Sequence, residues 1–267
     1  MPVISVKSIC VRYNGRTILD NVSADFEDSR IHLIVGPTGA GKTTLLSVII
    51  GFVRPDEGTV TVPRGDISDL RNRMGILFQF PEEMFFLEKV YEEIALAPIS
   101  RKMDRIENRV HQALEMVNLS PDILQASPYE ISYGEKRRVA LAAILSYSPD
   151  WILLDEPFAG LDRKGINMMM DVIRNLKEQG KGVIIASHRI EEITTICDSV
   201  TLIVGGKAVF SEESSSVDWN EIYKAGCDVP VSVRFAMALA TNGINIGYPL
   251  TIDEAVKRLK EIRREER

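Results

Sequence analysis

At 267 residues, with 45% hydrophobic and 26% charged side chains, the chain has room for one large α/β domain and a smaller appendage. Thirty-two basic against thirty-eight acidic residues leave a formal charge of −6, which argues against a nucleic-acid binder. No apolar run reaches the roughly 20 residues of a membrane-crossing helix, and the start of the chain shows no signal peptide. Any membrane connection is therefore expected to run through a partner.

The basic stretches, Lys136-Arg137-Arg138 and the mixed-sign tail 257–267, read as solvated helix faces. Three widely separated cysteines (Cys10, Cys197, Cys227) point to reduced thiols rather than a disulfide or metal framework. The opening VISVKSICVRY alternates as a strand, and Asn14-Gly15 is a hairpin turn signal. A second apolar run, 31–35, breaks into a glycine-rich loop, and a helix over 43–50 stops at Gly51. From about 88 to 147 the pattern turns helical, with Ile106, Val110, Leu114 and Val117 on one face. Segments 151–154 and 182–186 read as buried parallel strands around a helix over 166–179. A hairpin over 199–210, split at Gly205-Gly206, closes this unit. A polar break at 212–216 precedes two expected helices, 232–240 and 253–267, the latter with Asp253 in its first turn.

The loop Gly36-Pro37-Thr38-Gly39-Ala40-Gly41-Lys42-Thr43-Thr44 fits the phosphate-loop pattern GxxxxGK[ST]. Its glycines let backbone N–H groups converge on a β-phosphate, and the helix start adds partial positive charge. Lys42 suits the β- and γ-phosphates, and the Thr43 hydroxyl suits Mg²⁺. A glycine-rich turn before an ordinary helix is the plainer alternative. The complete pattern in a strand–loop–helix context decides for the nucleotide.

The strand 151–154 runs into Asp155 and Glu156. An acid at the carboxyl edge of a parallel sheet sits where such sheets bind ligands. Asp155 can hold Mg²⁺, and Glu156 can polarise an attacking water. An acidic pair after a strand is often only a helix cap, but the phosphate loop upstream favours the chemical reading. Upstream of that strand, Ile131-Ser132-Tyr133-Gly134-Glu135 opens another helix, a second anion-binding terminus at Ser132 and the Gly134 amide. One nucleotide has no use for two such termini in one domain unless another copy shares the site.

Here the sequence resembles the ATP-binding-cassette ATPases, whose LSGGQ signature the stretch from Ile131 matches in outline. The resemblance covers about residues 3–210. It implies that Tyr13 stacks on adenine, and that Gln79 approaches Mg²⁺ and the water and senses the membrane partner. It further implies that Ala159-Gly160-Leu161-Asp162 contacts the opposite subunit and that His188 lies near the γ-phosphate. On their own, Tyr13 reads as a strand residue packed on the core, Gln79 as a surface amide and His188 as a helix-cap neighbour. His32 and His111 are assigned structural places.

The signature departs from the family pattern in two residues: Tyr133 stands for its first glycine and Glu135 for its glutamine. A positive φ at Tyr133 would cost about 1–2 kcal/mol, and an added acid would repel a triphosphate. The plain reading is a tolerated variant. The sharper one is a heterodimer in which the site completed by this signature is the weaker.

The run from Phe80-Pro81-Glu82 to Ala95, together with Asp228-Val229-Pro230 and Tyr248-Pro249-Leu250, is similar to the energy-coupling-factor ATPases of cobalt and vitamin importers. That similarity implies an α/β fold: a RecA-like phosphate-loop core in residues 1–210 with an ABC-type helical subdomain over about 88–147. Residues 211–267 would be a small, mainly helical dimerisation piece. ATP and Mg²⁺ are the implied ligands. A second ABC ATPase subunit, a transmembrane coupling subunit and a substrate-capture membrane subunit are the implied partners. The place is the cytoplasmic face of the membrane, bound peripherally. Phe85 and Phe86 are candidate anchors for a coupling helix, with at least one of them expected to pack inward. A soluble ABC mechanoenzyme and a phosphate-loop kinase are the rival readings. The acidic balance and the lack of a tandem cassette weigh against the first, and the Ser132 helix terminus against the second.

Overall fold

The computed structural model describes residues 3–62 and 66–265. β1 (Val3–Tyr13) and β2 (Arg16–Glu27) pair antiparallel about Asn14 and Gly15, whose φ of 49° and 77° give the left-handed pair a two-residue hairpin needs. Next come β3 (Ile31–Val35), α1 (Lys42–Ile50), β4 (Glu57–Thr61), α2 (Ile67–Arg71) and β5 (Met74–Leu77). The helices α3 (Val90–Ser100), α4 (Ile106–Met116) and α5 (Tyr133–Leu145) pack on one another. Val110 and Leu114 of α4, and Val117 just beyond it, are buried, so the periodic stripe is the packed face.

The second half alternates: β6 (Trp151–Asp155), α6 (Arg163–Glu178), β7 (Gly182–Ser187), β8 (Ser199–Val204), β9 (Lys207–Glu213). The short α7 (Trp219–Lys224) precedes α8 (Val231–Ala240) and α9 (Ile252–Glu265). The last two residues of the helix expected over 253–267, Glu266 and Arg267, lie outside the described residues. Two further departures are small. β9 runs through Glu212 and Glu213, so the polar break begins at residue 214, and the sequence pattern gave no sign of α7.

The strands build two sheets: an antiparallel three-stranded one, β2-β1-β4, and a six-stranded one in the order β5-β6-β7-β3-β8-β9. Within the larger sheet every pairing is parallel except β8 with β9. Its inner strands are buried on both faces, which is why 31–35, 151–154 and 182–186 read as continuous apolar runs. The two-residue period divides each strand between two cores. Leu33, Ile152, Leu154, Val183 and Ile185 face the helical layer with α3–α6, whereas Ile34, Leu153, Ile184 and Ala186 face α1 and the antiparallel sheet. His32 belongs to the second side. Its ring meets Phe26 edge-on at 5.4 Å, its nitrogens pair with Ser199 Oγ and the Glu27 carbonyl, and burial lowers its pKa.

Beyond β9, Val217, Trp219, Ile222, Cys227, Val229 and Val233 are buried in the helical-layer core. The end of the chain has a small core of its own, in which Ala236, Ile246 and Ala255 are buried against Leu239, Leu259 and Ile262.

Candidate functional site

Four adjacent parallel strands end in residues singled out from the sequence. β3 runs into the phosphate loop, its neighbour β7 into His188, the next strand β6 into Glu156, and β5 into Gln79. Strands lie about 4.8 Å apart, so residues distant in the chain line one edge on the order of 14 Å long. The cleft there has a volume of about 390 Å³ and is lined by residues 38–44, Gln79, Glu156 and His188, with Arg16 and Ile18 of β2.

Gly41 caps α1 in the left-handed region (φ 105°), and the helix has no side-chain cap and no acid in its first turn. Its leading N–H groups are thus open to an anion. Space also dictates glycine here. A Cβ on Gly36 would lie 2.2 Å from the Ile203 carbonyl oxygen, and one on Gly41 would lie 2.7 Å from the Leu19 side chain. Lys42 is buried; its ammonium donates to the carbonyls of Gly36 (2.7 Å) and Pro37 (3.1 Å) and lies 4.0 Å from Glu156 Oε1. Those carbonyls aim a mobile side chain along the loop.

Behind the loop, the Thr43 hydroxyl donates to Asp155 Oδ2 at 2.7 Å. The other carboxylate oxygen, Oδ1, is buried with no hydrogen-bond partner among the described residues, and burial raises the Asp155 pKa. A buried carboxylate oxygen left unpaired fits a site completed by a cation. Among the described residues there is no cluster of three His, Cys, Asp or Glu able to hold a metal alone. The donor set therefore suits an ion that also takes oxygens from a bound phosphate and water.

Glu156 is held from every side. Its carboxylate accepts from Ser187 Oγ (2.9 Å), the His188 amide (3.0 Å) and His188 Nδ1 (2.7 Å). Accepting that last bond assigns the proton to Nδ1. The Glu156 backbone has φ 47°, a left-handed conformation costing a residue with a side chain about 1–3 kcal/mol. Its N–H donates to the Ala186 carbonyl at 2.8 Å, and its own carbonyl accepts from Ala159 N at 3.1 Å and Arg137 Nη1 at 2.7 Å. The surroundings fix a strained backbone so that the carboxylate faces Lys42.

Ser132 and Gly134 do not line this cleft. They border another, of about 640 Å³, with Gly160, Asp162 and one side of α6. Ser132 caps α5 in a reciprocal box: its Oγ accepts from Glu135 N (3.3 Å), and Glu135 Oε2 accepts from the Ser132 amide (2.9 Å) and hydroxyl (2.6 Å). These bonds lower the Glu135 pKa, so the acid is ionised. Tyr133 is the first helical residue and does not have positive φ, so the strain considered for it does not arise. Its ring lies against Gly160, where a Cβ would come within 2.8 Å.

Arg137 corrects the expectation of a solvated basic face. It is wholly buried, because its guanidinium reaches under the Glu156 and Gln79 loops instead of into solvent. Tyr13 is half exposed and does not line the cleft; it pairs across the hairpin with Arg16, which does. Of the two adjacent aromatics, Phe85 is buried and Phe86 is 66% exposed. Ser187, Arg16 and Ile18 also belong to the site, and only Ser187 is marked in the sequence, as the last residue of a buried strand before His188.

A phosphate loop, an acid pair on the same sheet edge and a second capped helix together define a nucleoside triphosphatase of the phosphate-loop class. The ABC transporter family model matches residues 19–159. The energy-coupling factor transporter ATP-binding protein EcfA2 of Streptococcus sanguinis is 32% identical over 94% of this chain and 97% of its own. Its counterpart from Symbiobacterium thermophilum is 34% identical over 91% and 89%. Among solved structures, cbiO1 of Clostridium perfringens, part of the ABC transporter complex cbiONQ, superposes with TM-score 0.74 at 26% identity. That match covers 90% of this chain and 98% of cbiO1. A dimeric bacterial ABC transporter cassette gives TM-score 0.71 at 25% identity, covering 79% and 98%. The chain belongs to the ABC transporter ATP-binding proteins, in their energy-coupling-factor branch, and is an ATP hydrolase.

Proposed function

We propose that the chain powers an importer of a vitamin or transition-metal ion from the cytoplasmic face of the membrane. Its partners are a second ATPase subunit, a transmembrane coupling subunit and a substrate-capture membrane subunit. No helix among the described residues is long and apolar enough to cross a membrane, so the chain would sit there peripherally. The observation that carries the ATP-driven step of this reading is the Glu156 carboxylate, held by Ser187 and His188 within 4.0 Å of the phosphate-loop lysine.

In this reading the amides of residues 36–44 and the Lys42 ammonium bind the β- and γ-phosphates, and Tyr13 stacks on the adenine. Thr43, Asp155 and Gln79 would hold Mg²⁺, which would neutralise negative charge on the phosphates. Glu156 accepts a proton from the attacking water, and His188 keeps the carboxylate oriented and faces the γ-phosphate. Ser132 and Gly134 border a separate cleft, which supports their completing the site of a second ATPase subunit. Closure of the pair excludes water, hydrolysis removes the γ-phosphate contacts, and reopening moves the coupling subunit.

Two features support a heterodimer with unequal sites. The Ser132 hydroxyl donates to Glu135, and an ionised acid stands at the end of α5 where a partner's phosphate would dock. Equal turnover at both composite sites would overturn this. Residues 1–210 are read as the motor and 211–267 as the dimerisation piece. Exposed Val231, Phe235, Ile252 and Val256 of the latter support an apolar contact. Exposed Phe80 and Phe86 support a groove for the coupling subunit.

The test is to tag the chain in its host, solubilise membranes gently and identify what co-purifies. A second ATPase with two membrane proteins is the expected result. A soluble complex without a membrane partner would end the transporter reading.

A further inference from the structure

Arg137 has no ordinary reason to be where it is. Its side chain is wholly buried, yet among the described residues it forms no ion pair, and its Nε has no partner. A buried cation without a carboxylate is costly unless dipoles replace the lost water. Here three oxygens do so. Nη1 donates to the Glu156 carbonyl at 2.7 Å; Nη2 donates to the Gln79 carbonyl at 2.6 Å and to Tyr133 Oη at 2.9 Å. The guanidinium also lies 5.5 Å from the Tyr133 ring centroid.

The two carbonyls belong to two residues that line the cleft, just beyond the ends of the neighbouring strands β6 and β5. Arg137 itself stands on α5, the helix that Ser132 caps. One planar fork therefore joins the helical layer to two loops at the reaction edge. The contact with Glu156 matters most, because that residue is in a left-handed conformation that its neighbours must enforce. Tyr133 is built into the same arrangement. Its hydroxyl accepts from Arg137 and donates to the Gln79 carbonyl at 3.4 Å, and its ring fills the space beside Gly160. The variant tyrosine of the signature is thus a structural partner of Arg137, four residues away on the same helix face.

We propose that Arg137, with Tyr133, is a positioning residue for ATP hydrolysis: it fixes the Glu156 and Gln79 loops against α5, so that movement of the helical layer sets the alignment of the catalytic carboxylate. The inference rests on the reading of Glu156 as the base. It concerns kcat rather than nucleotide affinity, because the hydrogen bonds of Arg137 go to Glu156, Gln79 and Tyr133 and none goes to residues 36–44.

The test uses the membrane complex that co-purifies with the tagged chain. Arg137→Met keeps the length and removes every donor. It is expected to lower kcat by roughly 10- to 100-fold, the cost of misplacing a reacting group by about an ångström. The KM for ATP should stay within about twofold. Arg137→Lys, which can reach one carbonyl, should recover part of kcat. Tyr133→Phe should lower kcat less, and the double variant Tyr133→Phe/Arg137→Met should be no worse than Arg137→Met alone. If Arg137→Met does not assemble, the kcat and KM of Arg137→Lys and Tyr133→Phe decide the question. A kcat within about twofold of the unaltered complex in the variants that assemble, or a KM rising as kcat falls, overturns the proposal. Glu156→Gln separates the two readings: turnover surviving in that variant refutes the base itself, whereas its loss beside an active Arg137→Met refutes only the positioning role.

Discussion

Replacing Asp155 by asparagine should stabilise the nucleotide-free chain while removing its response to Mg²⁺. Asp155 is buried, one carboxylate oxygen is satisfied by Thr43, and the other has no partner among the described residues. An unsatisfied buried polar atom costs about 1–3 kcal/mol, and more when charged. Burial, with Glu156 beside it, raises the pKa of Asp155. Its folded pKa is thus above the unfolded value, the folded state holds its proton more tightly, and stability falls as pH rises through that window. Asparagine keeps the acceptor for Thr43 and does not titrate, although its amide leaves a neutral unpaired donor behind. A net gain of about 1–2 kcal/mol follows, or roughly 2–8 °C in Tm for a chain of this size. The assay is thermal unfolding in chelator without nucleotide, at pH 8 and again near pH 4.5. The variant should melt higher at pH 8, the gap should narrow at the lower pH, and Mg²⁺ should no longer enhance stabilisation by ATP. A variant less stable than the parent at pH 8 would refute the reasoning.

Four further outcomes are expected. Gly36→Ala drives a Cβ to 2.2 Å from the Ile203 carbonyl oxygen and should lose about 2–3 kcal/mol together with ATP affinity, as measured by thermal unfolding and titration calorimetry. Phe85→Ala should cost about 3–5 kcal/mol as a core truncation. Phe86→Ser should instead leave Tm within about 1 °C and reduce co-purification of membrane subunits. Glu135→Gln keeps an acceptor for the Ser132 amide and removes the charge, so α5 should survive and turnover at the site it completes should rise in single-turnover measurements.

The legible parts of the chain were those encoded locally. The phosphate loop declares itself because glycine geometry and the lysine are contiguous, and β3, β6 and β7 because burial on both faces leaves four- or five-residue apolar runs. β4 and α2 gave no such signal: they are five residues each, and only Leu70 among them is buried. α7 is hardly longer, yet it buries Trp219 and Ile222 in the main core, a tertiary fact without a periodic sign. Gln79 and His188 were placed by family resemblance alone, since only the strand order β5-β6-β7-β3 brings them beside the loop. The burial of Arg137 is hidden from the sequence for a related reason. Within Lys136-Arg137-Arg138 nothing distinguishes the one side chain that turns inward, because two of its three partners are main-chain oxygens 19 and 58 residues away.

The central claim is that Glu156 activates water for hydrolysis of ATP held by the phosphate loop. The most direct measurement is steady-state ATP hydrolysis by the purified membrane complex carrying Glu156→Gln, alongside nucleotide binding to the same sample. Binding retained with turnover lowered by roughly 100-fold or more is the predicted result. Turnover close to that of the unaltered complex would contradict it.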